Sequence, residues 1–410
     1  MNEKPRHAPI QAFDLVDDQL ILGGKTLKQL AAQAGSTPFY VYEGKALIER
    51  ARKLRSAMPE GLSIHYAVKA NPFPPVVKHL LALVDGLDIA SAGELQTALQ
   101  AGADPNHVSF AGPGKSDPEL RAAIEAGVCI NLESAAEMQR VQAFGEQLGK
   151  RPRVAIRVNP DFELKSSGMK MGGGARPFGI DAEAVPQVLK EAMQLDLDVQ
   201  GLHIFSGSQN LDADRLIEAQ TATFELAYRL CESAALQPSL LNIGGGFGIP
   251  YFPGDQPLDL GPIGAGLARH LETCRARLGD TEVILELGRY LVGEAGVYVC
   301  EVIERKVSRG QTYLICNGGM HHNLAASGNL GQFIRKNYPV INPMQVTGGE
   351  RETVNVVGPL CTPLDILAEK LDLAHTGRGD LVAVLQSGAY GLSASPRGFL
   401  GHPEPVELLV

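Results

Sequence analysis

The chain has 410 residues, 44% hydrophobic and 20% charged, the composition of a folded globular protein with more than one domain. Its net charge of −9 and lack of a Lys/Arg-rich block disfavour a nucleic-acid or anionic-membrane surface, and no apolar run reaches the ~18 residues of a membrane span. Met1–Ile10 lacks the apolar stretch of a signal peptide, and six scattered cysteines form no CxxC pair, so free thiols in a reducing cytoplasm are expected rather than disulfides or zinc.

Gln19–Leu22 and Phe39–Tyr42 read as strands on either side of a short helix, Leu27–Ala34. A regular alternation follows. Strand-like runs occur at Leu62–Val68, Leu87–Ala90, His107–Phe110, Val128–Asn131, Arg153–Val158, Val199–Ile204, Leu240–Ile243 and Glu282–Glu286. Helical patterns separate them, at Pro74–Val84, Ala92–Ala101, Asp117–Ala126, Glu133–Leu148, Ala182–Leu195, Asp212–Ala235 and Ile263–Leu278. Eight parallel βα units suit a TIM barrel, whereas an open doubly wound sheet has roughly five or six strands. Beyond Glu286 helices become scarce. Val297–Ile303, Thr312–Cys316, Glu352–Val357 and Leu381–Leu385 read as strands punctuated by Gly and Pro, with a long excursion at Asn329–Gly349. The expected fold is α/β: a (β/α)8 TIM barrel over residues 37–290, then an all-β domain over 291–410 that residues 1–36 join.

In a barrel, chemistry gathers just past the C-terminal ends of the strands. The first strand runs into Tyr66-Ala67-Val68-Lys69-Ala70-Asn71. A lysine there is either a solvated strand exit or an amine whose pKa burial depresses, freeing it as a nucleophile. The seventh ends in Gly244-Gly245-Gly246-Phe247-Gly248, where side-chain-free backbone can close on a phosphate; Ile249 breaks the GxGxxG dinucleotide pattern. The eighth ends in Glu286-Leu287-Gly288-Arg289. The sixth ends in His203-Ile204-Phe205-Ser206-Gly207-Ser208, in which a lone His203 reads as a hydrogen-bonded core residue. Gly112-Pro113-Gly114-Lys115-Ser116 imitates a P-loop but has Ser109 in place of the first glycine, so nucleotide binding is discounted. A reactive lysine, a phosphate cradle, a carboxylate and an aromatic face together suit pyridoxal 5'-phosphate.

From about residue 37 to 395 the chain resembles the fold-type III pyridoxal-phosphate decarboxylases, which include the diaminopimelate, ornithine and arginine enzymes. Six motifs carry the resemblance, in order: Tyr66–Asn71; Asp88-Ile89-Ala90-Ser91-Ala92-Gly93-Glu94; Gly244–Gly248; Glu286–Arg289, with Leu287 replacing the proline of EPGR; Gly358-Pro359-Leu360-Cys361 with Asp365; and Gly388-Ala389-Tyr390. The resemblance implies that Lys69 carries the cofactor as a Schiff base and that Glu286 keeps the ring nitrogen protonated. It further implies that Ser208, Gly245, Gly246, Arg289 and Tyr390 hold the phosphate, with Asp88 and Phe205 completing the cofactor site. Cys361 would return the proton to Cα, reaching into a partner subunit, which implies a homodimer with composite sites. Arg289, Thr362 and Asp365 would face the substrate. No metal is expected.

Three departures bear on the substrate. Phe205 stands where the family stacks a histidine on the ring, and Thr362 stands where diaminopimelate enzymes carry a glutamate for the distal amine. Asn317-Gly318-Gly319-Met320-His321-His322-Asn323 replaces a stretch with a substrate-binding arginine, and nearby Arg335 does not align with it. Adjacent histidines on a strand face opposite ways, which argues against a metal pair and leaves the role of His321 and His322 open. These features resemble exosortase-associated decarboxylases and relatives that act on aminoacyl groups tethered to a carrier protein. Ser166–Pro177 would then be a lid over a wider entrance, or simply a linker. The leading expectation is a cytoplasmic decarboxylase of an amino acid, diaminopimelate decarboxylase-like, with a carrier-bound aminoacyl group as the alternative substrate. Two further alternatives are a racemase, disfavoured because such enzymes set an arginine against the ring nitrogen, and a non-catalytic cofactor carrier, disfavoured by the second domain.

Overall fold

The computed structural model describes residues 7–162, 169, 170, 172–330, 332 and 334–410. The chain divides into two compact units, one of Ala51–Gly248 with Leu258–Gly288, the other of Met1–Arg50, Ile249–Pro257 and Arg289–Val410.

The first unit is a closed barrel. Its strands are β1 (Leu62–Ala67), β2 (Gly86–Ile89), β3 (Val108–Phe110), β4 (Cys129–Leu132), β5 (Arg153–Asn159), β6 (Asp198–Ile204), β7 (Leu240–Gly245) and β8 (Glu282–Leu287). Each pairs in parallel with its successor, and β8 returns to pair with β1. Runs such as Cys129–Leu132 are buried at every position, because a barrel strand faces side chains inside and helices outside. Local chemistry sets the intervening helices. Ser91 and Ser134 accept from the amides of Glu94 and Glu137, Glu119 reaches back to the amide of Ser116, and Gly102, Gly127 and Gly149 end the three helices. No helix among the described residues is long and apolar enough to cross a membrane.

The second unit is built on sheet. Its long strand β9 (Gly296–Ser308) pairs over its first half with Phe39–Tyr42 and with β13 (Leu381–Val384), and over its second half with β10 (Gln311–Cys316). Strand β10 lies parallel to β11 (Arg351–Val357), which pairs with β12 (Ile366–Ala374); β14 (Val406–Leu409) adds to Phe39–Tyr42. Leu20, Leu22, Leu27 and Leu30 are fully buried with Phe39, Val41, Val297, Val299 and Ala383. Phe39–Tyr42 therefore belongs with the C-terminal strands and not, as a boundary at residue 37 supposed, with the barrel: all four residues are buried by β9 and β14. Strand β12 escaped the sequence reading because ILAEKLDLA mixes helix formers with apolar spacing of no clear period; its pairing with β11 supplies what propensity does not.

The P-loop imitation has a structural purpose. Lys115 is buried, and its Nζ donates to the carbonyls of Gly112 (2.8 Å) and Asn131 (2.9 Å) and to both oxygens of Glu137 (3.0 and 3.1 Å). Beside it, Glu133 accepts from Arg157 Nη1, the amide of Gly112 and the amide of Gly179, each at 2.7 Å, so one carboxylate ties the segments that follow β3, β4 and β5. Removing one partner of a buried pair strands the other charge. Lys115→Met is expected to lower unfolding free energy in urea by about 3–5 kcal/mol, and Lys115→Met/Glu137→Leu to recover much of that loss. Equal midpoints for Lys115→Met and the unaltered protein would show that the lysine carries no such load.

Candidate active site at the barrel mouth

Strand β1 ends in a single 3-10 turn, Val68–Ala70, that lifts Lys69 from the barrel wall, while the Tyr66 hydroxyl donates to the Asn71 carbonyl at 2.8 Å. Lys69 is exposed, and its Nζ lies 3.6 Å from Oε1 of Glu286, which is buried near the end of β8. Nε2 of His203, on β6, lies 3.1 Å from the other oxygen of Glu286. Burial by itself would push the Glu286 carboxyl up, but the Lys69 ammonium and His203 outweigh it and hold the group well below the usual carboxylate range, so it is ionised at neutral pH. The Phe205 ring faces the lysine, with Nζ 5.5 Å from its centroid.

The glycine run closes on this centre. A side chain at Gly245 would meet the Glu286 carbonyl at 2.0 Å, and Gly246 has φ +83° with its missing Cβ 2.6 Å from the carbonyl of Gly207. Asn210 binds the loop in both directions, donating from its amide to the Gly246 carbonyl (3.0 Å) and accepting from the Gly248 amide (2.8 Å). The buried hydroxyl of Ser208 has no hydrogen-bond partner among the described residues. A side-chain-free turn against an unsatisfied hydroxyl fits the phosphate of pyridoxal 5'-phosphate, and Lys69, Glu286 and Phe205 fit its aldehyde, ring nitrogen and ring face.

Asp88 lies among other partners. It is buried, its Oδ1 accepts from the Ser109 hydroxyl, and His65 Nδ1 is 3.5 Å away, an arrangement of barrel-core polar groups. Through these contacts Asp88 ties together β1, β2 and β3.

In the second unit Arg289 donates from Nη1 to the Tyr251 hydroxyl at 2.8 Å, and its guanidinium carbon lies 4.7 Å from the centroid of Tyr390 and 5.5 Å from that of Tyr251. Tyr390 adopts φ 52°, a left-handed conformation unusual for an aromatic residue and often found at functional sites. All six cysteines are free; five are buried and Cys361 is exposed. Asp365 accepts from the amides of Met320 (2.6 Å) and Leu360 (2.9 Å) and is itself buried. Its carboxylate thereby holds the Gly318–Met320 turn against the Cys361 loop. Thr362 stays in that loop, accepting from the Leu364 amide at 3.3 Å. Arg335 is committed elsewhere: it donates to the Ser327 and Ile366 carbonyls and to Asn337.

His321 and His322 lie in a turn rather than a strand, so their rings approach to 3.7 Å instead of diverging. Nε2 of His322 is 3.0 Å from the Pro403 carbonyl and Nδ1 is 3.2 Å from the Tyr298 hydroxyl, a pattern that suits a neutral ring. Among the described residues no three His, Cys, Asp or Glu side chains gather as a metal would require. The expected lid Ser166–Pro177 includes residues 166–168 and 171, which lie outside the described residues. Sequence reasoning passed over Tyr251 and Tyr338, and it read His203 as a core residue with no part in the charge centre. His203 was legible in principle, since it stands next to last in β6, at the strand end that faces the mouth. The tyrosines were not, because only folding brings them to Arg289 or to its partner.

Residues 45–293 match the family described as pyridoxal-dependent decarboxylase, pyridoxal binding domain. The L-glutamyl-(BtrI acyl-carrier protein) decarboxylase of Niallia circulans is 40% identical over 379 residues, 91% of this chain and 88% of its own length. The diaminopimelate decarboxylase of Aquifex aeolicus is 35% identical over 400 residues, 96% of this chain and 91% of its own. In fold, the crystal structure of the M. jannaschii diaminopimelate decarboxylase with L-lysine has TM-score 0.89 at 24% identity, covering 98% of this chain and 93% of that one.

Burial pushes the His321 and His322 pKa values down to about 4 and about 3, with neighbouring histidines adding to the effect. The unfolded chain takes up these protons near the ordinary value of ~6.5, so the stability they contribute is complete above it and is lost as pH falls toward the folded values. Urea midpoints are expected to drop between pH 7 and pH 5, and to drop less in His321→Asn/His322→Asn. The same slope in both proteins would refute this.

Proposed function

The chain belongs to the pyridoxal-dependent decarboxylases, and from that membership we propose how its own residues release carbon dioxide from an amino acid. It is a pyridoxal-phosphate-dependent carboxy-lyase. The observation that carries the assignment of roles is the approach of Lys69 to the buried, ionised Glu286 at the barrel mouth. When bound, the cofactor supplies an electron-poor ring that accepts the electron pair left at Cα as carbon dioxide departs.

Lys69 is the amine that would hold the cofactor. Glu286 would hold a proton on the ring nitrogen, with His203 fixing the carboxylate; an anion in this place favours decarboxylation over racemisation. Gly245, Gly246 and Ser208 would cradle the phosphate, Arg289 and Tyr390 would bind anionic groups, and Phe205 would cover the ring without itself exchanging protons. Cys361 would deliver a proton to Cα, a role supported by its being the exposed member of the six cysteines. Asp365 holds the Cys361 loop, and Thr362 would meet the far end of the substrate. Six free thiols support a cytoplasmic location.

The leading substrate is a free amino acid. A second reading, a carrier-tethered aminoacyl group, is favoured by one feature: Thr362 is neutral and short where a distal ammonium would call for a carboxylate. The 40% identical relative, named for a carrier-bound glutamyl substrate, supports the same reading. We place the working form as a homodimer with composite sites, Cys361 of one subunit serving Lys69 of the other.

Carbon dioxide release by the cofactor-loaded protein is expected from one member of a panel of meso-diaminopimelate, ornithine, lysine, arginine and glutamate. Silence with all of them, and release from a glutamyl thioester of pantetheine, would select the second reading. Lys69→Ala is expected to abolish borohydride-reducible attachment of the cofactor, and Glu286→Gln to slow release by about a hundredfold. Persistent attachment in the first variant would overturn the role of Lys69.

Lys69→Ala and Cys361→Ala are each expected to be nearly inactive. Their mixture after subunit exchange should regain about a quarter of full activity, because half the dimers then carry one intact site. A mixture that stays inactive despite exchange would refute composite sites.

A further inference from the structure

Arg289 belongs to the anion-binding set assigned above, and its fork of donors is only partly used. Nη1 is engaged by the Tyr251 hydroxyl at 2.8 Å, whereas Nε is buried and has no hydrogen-bond partner among the described residues. A guanidinium offers paired donors along its edges, and the edge formed by Nε and Nη2 lies away from Nη1. The orientation of that edge therefore depends on what holds Nη1.

Tyr251 is itself held firmly. It is 2% exposed, its ring centroid lies 4.5 Å from that of Tyr338, and Tyr338 is 6% exposed. Asp255 accepts from the amides of Tyr251 (3.1 Å) and Phe252 (3.0 Å), which fixes the turn that presents the ring. Ile249, two residues before, packs where a side chain on Gly293 would come within 2.4 Å of it, anchoring the segment beside the helix that Arg289 begins. On the other side the guanidinium lies over Tyr390. A buried hydroxyl bonded to one nitrogen and an aromatic face beneath the plane together leave the cation little rotational freedom.

We propose that Tyr251 is a positioning residue: by occupying Nη1 it turns the Nε–Nη2 edge of Arg289 toward the anion that the site binds. The proposal rests on the decarboxylase reading, and it concerns an oxyanion that is either the cofactor's phosphate or the substrate's carboxylate. Tyr338 and Asp255 serve Tyr251 in turn.

The test is Tyr251→Phe in the full chain, which keeps the ring and removes the hydroxyl. Binding to protein freed of cofactor is titrated with pyridoxal 5'-phosphate and with pyridoxal, which lacks the phosphate. Absorbance changes of the loaded protein are titrated with glutamate and lysine, and with the corresponding amines lacking the α-carboxylate. Loss of one hydrogen bond to a charged group predicts about a tenfold loss of affinity for one pair's anionic member and none for its partner. A loss confined to pyridoxal 5'-phosphate identifies the phosphate as the bound anion; one confined to the amino acids identifies the carboxylate, seen in turnover as a raised KM with kcat kept. Asp255→Asn is expected to weaken the same ligand to a smaller degree, and Tyr251→Leu to weaken it further. Unchanged constants for all ligands in Tyr251→Phe, with the unaltered chain binding cofactor normally, would overturn the proposal alone. Failure of the unaltered chain to form a reducible bond with cofactor would instead overturn the reading beneath it.

Discussion

An ionised carboxylate inside a barrel is costly unless cations and donors are built around it. Glu286 meets that condition through Lys69 on one oxygen and His203 on the other, contributed by β1, β6 and β8. Those three strands can converge only because β8 closes on β1 and the eighth strand's end faces the barrel interior. The backbone of the same residue shapes the neighbouring loop. Gly245 has no side chain because its backbone lies against the Glu286 carbonyl, and the Ser208 hydroxyl has no hydrogen-bond partner among the described residues.

The part of the barrel around the ends of β3, β4 and β5 is braced by a second set of buried charges. Lys115 with Glu137, and Arg157 with Glu133, join the segments after three consecutive strands. Such pairs contribute little net stability relative to apolar packing, but each fixes a geometry that apolar contacts would leave adjustable. Arg157 also helps to keep Glu286 ionised, so the brace and the Glu286 carboxylate are electrostatically linked.

In the sheet unit, Asp365 and Tyr251 hold their neighbours through hydrogen bonds. Asp365 binds amides on both sides of a loop contact, and its carboxylate occupies the room that side chains on Gly319 and Gly358 would need. That explains why glycine recurs around the Cys361 loop. Tyr251 does for Arg289 what Asp365 does for Cys361, through a hydrogen bond to the cation instead of to backbone.

The strand-and-helix alternation of residues 62–286 is visible in sequence because each element's period and caps are local properties. The position of Lys69 at the end of β1, the glycine run after β7 and Glu286 at the end of β8 were likewise legible, since a barrel sends every strand end to one face. What sequence could not decide depended on partners remote along the chain. Phe39–Tyr42 is assigned to the sheet by β9 and β14, which lie hundreds of residues away. His203 became part of the charge centre only when β6 and β8 set it 3.1 Å from Glu286, and Asp365 proved to be a clamp only when its two amide donors arrived. Residue type and local period determined which groups stand at the barrel's mouth; tertiary structure decided which of them touch, because hydrogen bonds and charge pairing act over a few ångströms that no spacing in sequence encodes.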